Sequence, residues 1–426
     1  MEQNHSPADQ ETFRHYLLFW SGQLVSLLGS SIVQFVIIWW ITVTTGSALY
    51  LSVATFLGIA PFVIVAPFAG VLTDRLNRKM LIFIADLIQA LGVIVLIILY
   101  SFGTVAIWYV FILLTVRGVF EGFHETTVSA VTPSMVPKDR LSRMNGLNYL
   151  FSGAARLVGP VLGAFLLQVW PIQRTLWIDI MTFLIAIVPL FLIRIPVVKK
   201  SSKDNSFKQD LVQGFSYIKR ARGLLTLAFL ATSLNFLITP FGTLLPYFVK
   251  FDHLGSATEL ALVIAFLQGG ILAGGLIMSV KKEFKRKVAT ALGGIVVSLF
   301  GYALVALTPT GQFWFMALSA LIFALSIPVA NVLLQTLMQI VVPLDMQGRV
   351  NSVTMALSMA ATPLGTLISG AVVEFTATSN LFMGCSLAGI LITILSWLFT
   401  DVRHVETLSP QEEPKSDDSN PKEPKD

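Results

Sequence analysis

The stretch Gly70-Val-Leu-Thr-Asp74-Arg75-Leu-Asn77-Arg78-Lys79-Met80 is short and charged, and it sits between two long apolar runs. On one side, Leu49–Ala69 carries no charge. On the other, Leu81–Ser101 carries a single acid, Asp86. A glycine turn, an aspartate and a basic cluster between two segments of membrane length leave no room for a domain. The stretch reads as a hinge on a membrane surface.

The composition agrees with that reading. The chain is 55% hydrophobic and 12% charged, with a mean hydropathy of +0.76; soluble domains carry about 25% charge. A spanning helix needs about 20 apolar residues. Twelve such runs occur: 17–44, 49–69, 81–101, 105–130, 145–168, 172–194, 224–249, 257–280, 288–308, 312–340, 350–373 and 380–400. Backbone polar groups in lipid must be satisfied inside each segment, which leaves helices. The alternating segments of about 10 residues that build membrane barrels are not seen. The expected fold is an all-α membrane protein. Its parts are a tail (1–16), a six-helix bundle (17–195), a linker (196–223), a second six-helix bundle (224–400) and a polar, disordered tail (401–426).

Basic residues set the expected orientation. Of 29 lysines and arginines, only Arg174 and Lys250 fall in odd-numbered loops, and only Arg117 and Arg156 fall in helix interiors, Arg194 being the last residue of the sixth run. The rest crowd the tails and even-numbered loops. Both termini are therefore expected in the cytoplasm of a cell that holds the protein in its inner or plasma membrane. The basic balance reports topology, with no nucleic-acid partner. Cys385 is the lone cysteine; it forms no intrachain disulfide and reads as packing. The polar, acidic start does not read as a cleaved leader.

An internal repeat divides the chain. Val136-Pro-Lys-Asp-Arg-Leu-Ser-Arg-Met-Asn145 matches Val342-Pro-Leu-Asp-Met-Gln-Gly-Arg-Val-Asn351, and the same offset carries Gly159 onto Gly365. Both copies lie between the fourth and fifth helices of a half. Two halves of like orientation are the parallel-repeat arrangement of one large transporter class. Within the linker, Phe207–Ile218 has the pattern of an interfacial amphipathic helix.

Candidate chemistry gathers in helix four, Arg117-Gly-Val-Phe-Glu121-Gly-Phe-His124-Glu125. Arg117, Glu121 and Glu125 are four apart and share a face, with His124 beside it. A charge at the centre of a membrane helix costs about 3 kcal/mol on insertion scales, so these groups must pair or face water. They read either as proton carriers or as a structural ion-pair ladder. Arg156 in helix five is the expected partner of Glu121 or Glu125. Asp179 in helix six reads either as a cap linked to Arg174 or as a site residue. Asp86 reads as a gate residue next to Arg78. Helix one places Gln23, Ser26, Ser30 and Gln34 on one stripe, which faces the bundle interior. The second half replaces charge with amide: Asn331 stands at the repeat position of Glu125, with Gln335 and Gln339 after it, Asn235 in helix seven and Gln268 in helix eight. The expected cavity is ionisable on one side and neutral on the other. Most of the tryptophans sit toward the outer helix ends, as interfacial anchors.

These motifs resemble the major facilitator superfamily. Gly70, Asp74, Arg75, Arg78 and Lys79 match its loop between helices two and three, with Asn77 where a second glycine is usual. Arg117 with Glu121-Gly122 is similar to its helix-four arginine feature, one residue longer. Gly159-Pro160-x-x-Gly163 resembles the signature of its antiporters, with Ala155 in place of the leading glycine. Trp20-Ser-Gly-Gln23, Thr45-Gly-Ser47, Ile84-Ala-Asp86, Phe123-His124 and Ala130-Val-Thr-Pro133 through Val136-Pro137 are similar to the drug–proton antiporter branch that includes bacterial macrolide efflux proteins. The resemblance implies two six-helix bundles around a central cavity and alternating access by rocking of the halves.

The expected function is export of an amphipathic, cationic or neutral drug-like compound by a monomer, against a proton flow through Glu121 and Glu125. Asp74, Arg75 and Arg78 would latch the cytoplasmic side. The chain has no phosphate-binding Gly-x-x-x-x-Gly-Lys-Ser/Thr loop and no His-Glu-x-x-His, so neither ATP hydrolysis, a metal nor a cofactor is expected, and the chain is not read as an enzyme. An ion gradient remains as the energy source. A metabolite or lysophospholipid carrier of the same fold is the alternative, and a non-transporting sensor the more distant one.

Overall fold

The computed structural model describes residues 10–407, apart from 104, 194, 196–206, 221–222 and 282–283. The described residues form helices and no strand. The first half holds α1 (Gln10–Thr45), α2 (Ala48–Arg75), α3 (Arg78–Ser101), α4 (Ile107–Met135), α5 (Lys138–Val169) and α6 (Ile172–Leu192). The linker helix α7 (Phe207–Arg220) follows. The second half holds α8 (Leu224–Tyr247), α9 (Ala257–Val280), α10 (Lys287–Ala306), α11 (Phe313–Val341), α12 (Leu344–Val373) and α13 (Thr378–Phe399). Twelve of these are long and apolar enough to cross a membrane; α7 is the exception. An even number of crossings puts the first and last helix ends on one face, here called the terminal face. The opposite face is the distal face.

The repeat is structural as well as sequential. α4 and α11 begin at 107 and 313 and end at 135 and 341, a constant offset of 206 residues. α5 and α12 begin at 138 and 344, at the same offset. Their starts are set by matching prolines, Pro137 at φ −56°, ψ 142° and Pro343 at φ −54°, ψ 147°. A proline holds φ near −65° and needs no backbone donor, so it suits the position just before a helix. Prolines inside α2, α4, α5, α6, α8, α11 and α12 are tolerated because neighbouring helices cover the freed groups.

Packing follows the repeat. In the first half α1 packs on α5 and α6, and α4 on α2 and α3; in the second, α8 packs on α12 and α13, and α11 on α9 and α10. The halves meet along α2–α12 and α5–α9. Glycines permit the closest approaches. A Cβ at Gly118 would fall on the Gly58 carbonyl, and one at Gly274 on the Leu325 carbonyl. In α5, a Cβ at Gly159 would fall on the Ser31 hydroxyl, and one at Gly163 would sit 2.9 Å from Phe35. At the offset, a Cβ at Gly365 of α12 would sit 2.9 Å from the Phe236 carbonyl of α8. Gly159, Pro160 and Gly163 are all buried.

The two halves are tied at the distal face. Ser52 and Ser369 approach to 3.3 Å, and Gln168 donates to Thr258 at 2.8 Å. Lys250 sits 6.0 Å over the Trp39 ring. Toward the terminal face, Glu125 and Ser129 of α4, Tyr149 of α5, Asn331 and Gln335 of α11, and Met355 of α12 are all exposed. The space between the halves opens toward the terminal face.

Several boundaries differ from the sequence reading. α1 starts at Gln10 and not at 17, because Tyr16 is buried and hydrogen-bonded to Thr132 at 3.2 Å, with Phe13 packed beside it. Residues 1–9 lie outside the described residues. The tail expected to be disordered from 401 starts with a short 3-10 helix, Asp401–Thr407, whose Val402 and Val405 are fully buried; residues 408–426 lie outside the described residues. The helix expected over 207–218 forms over Phe207–Arg220; the rest of the linker up to 206 and residues 221–222 lie outside, as do Lys282 and Glu283 of the basic loop 281–287.

Candidate functional site

The hinge at 70–80 is tighter than its glycine suggested. α2 stays helical through Gly70, Asp74 and Arg75, so Gly70 makes no turn. Only Leu76 and Asn77 separate α2 from α3. Asn77, at φ −69°, caps α3 by accepting from the Met80 amide. Nothing there requires a glycine, which explains how asparagine occupies the position. Arg78 pairs with Asp74 at 3.8 Å and donates to the Ala130 carbonyl at 3.0 Å. Lys79 donates to the carbonyls of Phe191 and Ile193 at 2.7 and 3.0 Å, neutralising the C-terminal end of α6. These contacts bind the hinge to its own half.

Asp86 does not belong to this hinge. Two turns farther along α3, its carboxylate lies 3.3 Å from His124 of α4. The same His124 nitrogen, Nε2, lies 2.9 Å from Gln23 Oε1 of α1. Three helices therefore converge on one imidazole edge. They line a polar cavity with Ser26 and Ser30 of α1, Gln89 of α3, Glu121 of α4 and Asp179 of α6. Glu121 is the middle residue of α4 and so lies near the centre of its span. It has no hydrogen bond or ion pair among the described residues.

Beside the cavity, Arg117 pairs with Asp179 at 3.9 Å, and Ser30 donates to Asp179 Oδ1 at 3.0 Å. Arg117 is 8% exposed and Asp179 7%. Two charges this deep are stable only as a pair. The ladder read along α4 is thus replaced by a bridge between helices, because the long arginine side chain reaches α6 while Glu121 lines the polar cavity and Glu125 is exposed. Asp179 is held by Arg117 and Ser30, and not by Arg174. Arg156 makes no ion pair with Glu121 or Glu125 within 4.0 Å among the described residues; it is an electrostatic neighbour of Glu125 across from α5. Gln34 is exposed and does not line the polar cavity.

Among the described residues, the amides of the second half line two separate cavities. Asn235 of α8 and Asn331 of α11 line one, among Ile238, Ile295 and Leu334. Gln335 lines the other, nearer the terminal face, with Gln339, Gln347, Asn351 and Thr354. Gln268 is half-buried on α9 and lines none of these cavities. The expected single cavity, ionisable on one side and neutral on the other, is not formed; the ionisable and the amide-bearing linings belong to separate cavities. Gln89 is not singled out in the sequence, and His124 reads there only as a neighbour of the Glu121 face. The signal for them was spacing: His124 is three residues from Glu121, and Gln89 three from Asp86. No cluster of three metal-ligating side chains occurs among the described residues.

The sequence profile of the Major Facilitator Superfamily matches residues 19–366. Macrolide efflux protein A of Streptococcus pyogenes is 28% identical over 394 residues, covering 92% of this chain and 97% of that one. Multidrug efflux pump Tap of Mycolicibacterium fortuitum is 23% identical over 404 residues, with 92% and 97% covered. Among solved structures, a POT family transporter in complex with 5-aminolevulinic acid aligns at TM-score 0.71 with 12% identity, covering 91% of this chain and 96% of that one. A bacterial homologue of the iron transporter ferroportin, in an inward-facing state, aligns at 0.67 with 16% identity, covering 90% and 98%. The profile match, the twelve spans and the repeat in register agree: this multi-pass membrane protein belongs to the Major Facilitator Superfamily.

Proposed function

We propose that the protein exports amphipathic drug-like compounds, cationic or neutral, in exchange for protons, and that it does so as a monomer by alternating access. The observation that carries this reading is the mid-membrane cavity of the first half, where Asp86, Glu121 and His124 meet with no full cation in its lining. Three ionisable groups at that depth are costly and are expected to serve a transport path. Such a cavity suits protons and organic cations. The amide-bearing, largely apolar cavity of the second half suits the body of an amphiphile. The names of the macrolide and multidrug efflux relatives support the substrate class.

Both termini belong in the cytoplasm, on the strength of the basic residues gathered in the tails and even-numbered loops. The terminal face is then cytoplasmic, and the conformation is inward-open. With no nucleotide site, the driving force is the gradient, worth about 2.3 kcal/mol per charge per 100 mV. Asp74, Arg75 and Arg78 would contribute to closing the cytoplasmic side in the outward-open state. The test is uptake of a macrolide and of a cationic dye into everted membrane vesicles. Glu121→Gln is expected to lower uptake of the cationic dye, and wild-type rates in that variant would refute a transport role for the acidic cavity.

A further inference from the structure

Resting on the proton-coupled reading, we propose that the transported proton is held by the Asp86–His124 pair, which Gln23 positions, and that Glu121 beside it is left for the cationic group of the substrate.

The geometry separates the two carboxylates. Asp86 is 13% exposed and His124 19% by side chain, and they face each other at 3.3 Å. Glu121 is exposed to the cavity and has no hydrogen-bond or ion-pair partner among the described residues. His124 Nε2 points at two oxygens, Asp86 Oδ1 and Gln23 Oε1. With two acceptors before it, that nitrogen carries its hydrogen in both charge states, so a proton is gained or lost at Nδ1. Neutral imidazole beside an aspartate carries one net negative charge. Adding a proton from cavity water gives an imidazolium–carboxylate pair with no net charge, and returning the proton to water on the other side restores the first state. No other atom is gained or lost. Imidazole is the side chain whose ordinary titration falls in the range over which a cellular pH gradient acts.

The surrounding charges leave this pair as the natural holder. α1 contributes no ionisable group to the cavity, only Gln23, Ser26 and Ser30. α6 contributes Asp179, which Arg117 of α4 compensates. α4 further contributes Glu121 and, one turn toward the terminal face, Glu125, which has Arg156 of α5 nearby. α3 contributes Asp86 alone. Asp86 is thus the one cavity carboxylate that has a titratable base in contact and no permanent cation.

Two measurements test this. In the full-length protein labelled with 15N-histidine and held in lipid nanodiscs, the His124 imidazole, identified by its loss in His124→Gln, is followed from pH 5 to 9. Asp86→Asn is expected to lower its midpoint by about one unit or more, a tenfold change in proton affinity. Glu121→Gln is expected to move it less. A His124 that stays neutral down to pH 5, or a midpoint that ignores Asp86→Asn, overturns the proposal.

In everted vesicles, His124→Gln and Asp86→Asn are expected to reduce the ratio of gradient-driven accumulation to gradient-free exchange of a cationic dye by at least about tenfold. Glu121→Gln is expected to lower both together. Wild-type accumulation in His124→Gln overturns the inference while the proton-coupled reading stands. Uptake by the unaltered protein that ignores the pH gradient overturns that reading itself, and the titration still reports where the proton sits.

Discussion

Arg117 crosses from α4 to α6 and places Nη1 3.9 Å from Asp179 Oδ2, while Ser30 of α1 donates to the other oxygen of the same carboxylate. The pair pins three helices at mid-membrane, next to the acidic cavity. Because the two charges compensate each other, neither can move a proton without stranding its partner.

Removing one partner leaves a buried charge alone. Arg117→Met and Asp179→Leu are each expected to destabilise the protein by about 3–5 kcal/mol. The double variant is expected to recover most of that loss, because two apolar side chains can fill the same space. Thermal unfolding of the four proteins in detergent gives the double-mutant cycle. Additive losses would mean that the residues do not act as a pair.

The contact of α2 with α4 rests on one glycine. A Cβ at Gly118 would fall on the Gly58 carbonyl, which is backbone and cannot swing aside. A Cβ at Gly58 would meet nothing within 4 Å. Gly118→Ala is therefore expected to cost at least about 1–3 kcal/mol, through overpacking. Gly58→Ala should leave the melting temperature unchanged. Equal behaviour of the two variants would refute the close approach.

The fold was legible because lipid permits few backbone solutions. Long apolar runs had to be helices, and the Val-Pro-x-Asp repeat marked the two halves as equivalent. The site was legible only as an inventory. Arg117, Glu121, Asp86 and Asp179 stood out as charges in apolar surroundings. Their pairing did not, because it depends on how each helix is rotated against its neighbours. Arg117 with Glu121 is a good pair along one helix, but it loses to Arg117 with Asp179 once α6 is packed against α1 and α3. Asp86 looked like part of the hinge because it is near Arg78 in sequence; two turns of α3 carry it to His124. Gly70 looked like a turn because a charged cluster follows it, yet α2 runs on to Arg75 and Asn77 makes the break.

The distal closure can be trapped. Ser52 and Ser369 sit 3.3 Å apart, oxygen to oxygen, on the helices that join the halves. With Cys385 replaced by alanine, Ser52→Cys with Ser369→Cys is expected to form a disulfide under mild oxidation and to stop transport, and a reductant should restore it. Oxidised protein that transports at the reduced rate would mean that this face need not open.

The distal end of α8 makes stability depend on pH. His253 lies just beyond that span, 4% exposed, with Phe248 4.4 Å and Phe313 6.4 Å from its ring. Burial holds its pKa below the ordinary 6.5, against the smaller opposing pull of Asp252 and the Pro309 backbone. A base whose folded-state pKa is depressed binds its proton more readily when unfolded. The stability it contributes is therefore complete above about pH 6.5 and falls as the pH drops below that value. Wild-type protein in detergent should lose melting temperature between pH 7.5 and pH 5. His253→Phe should lose less over the same interval, whatever its stability at pH 7.5. Parallel curves for the two proteins would show that burial does not weaken proton binding by His253.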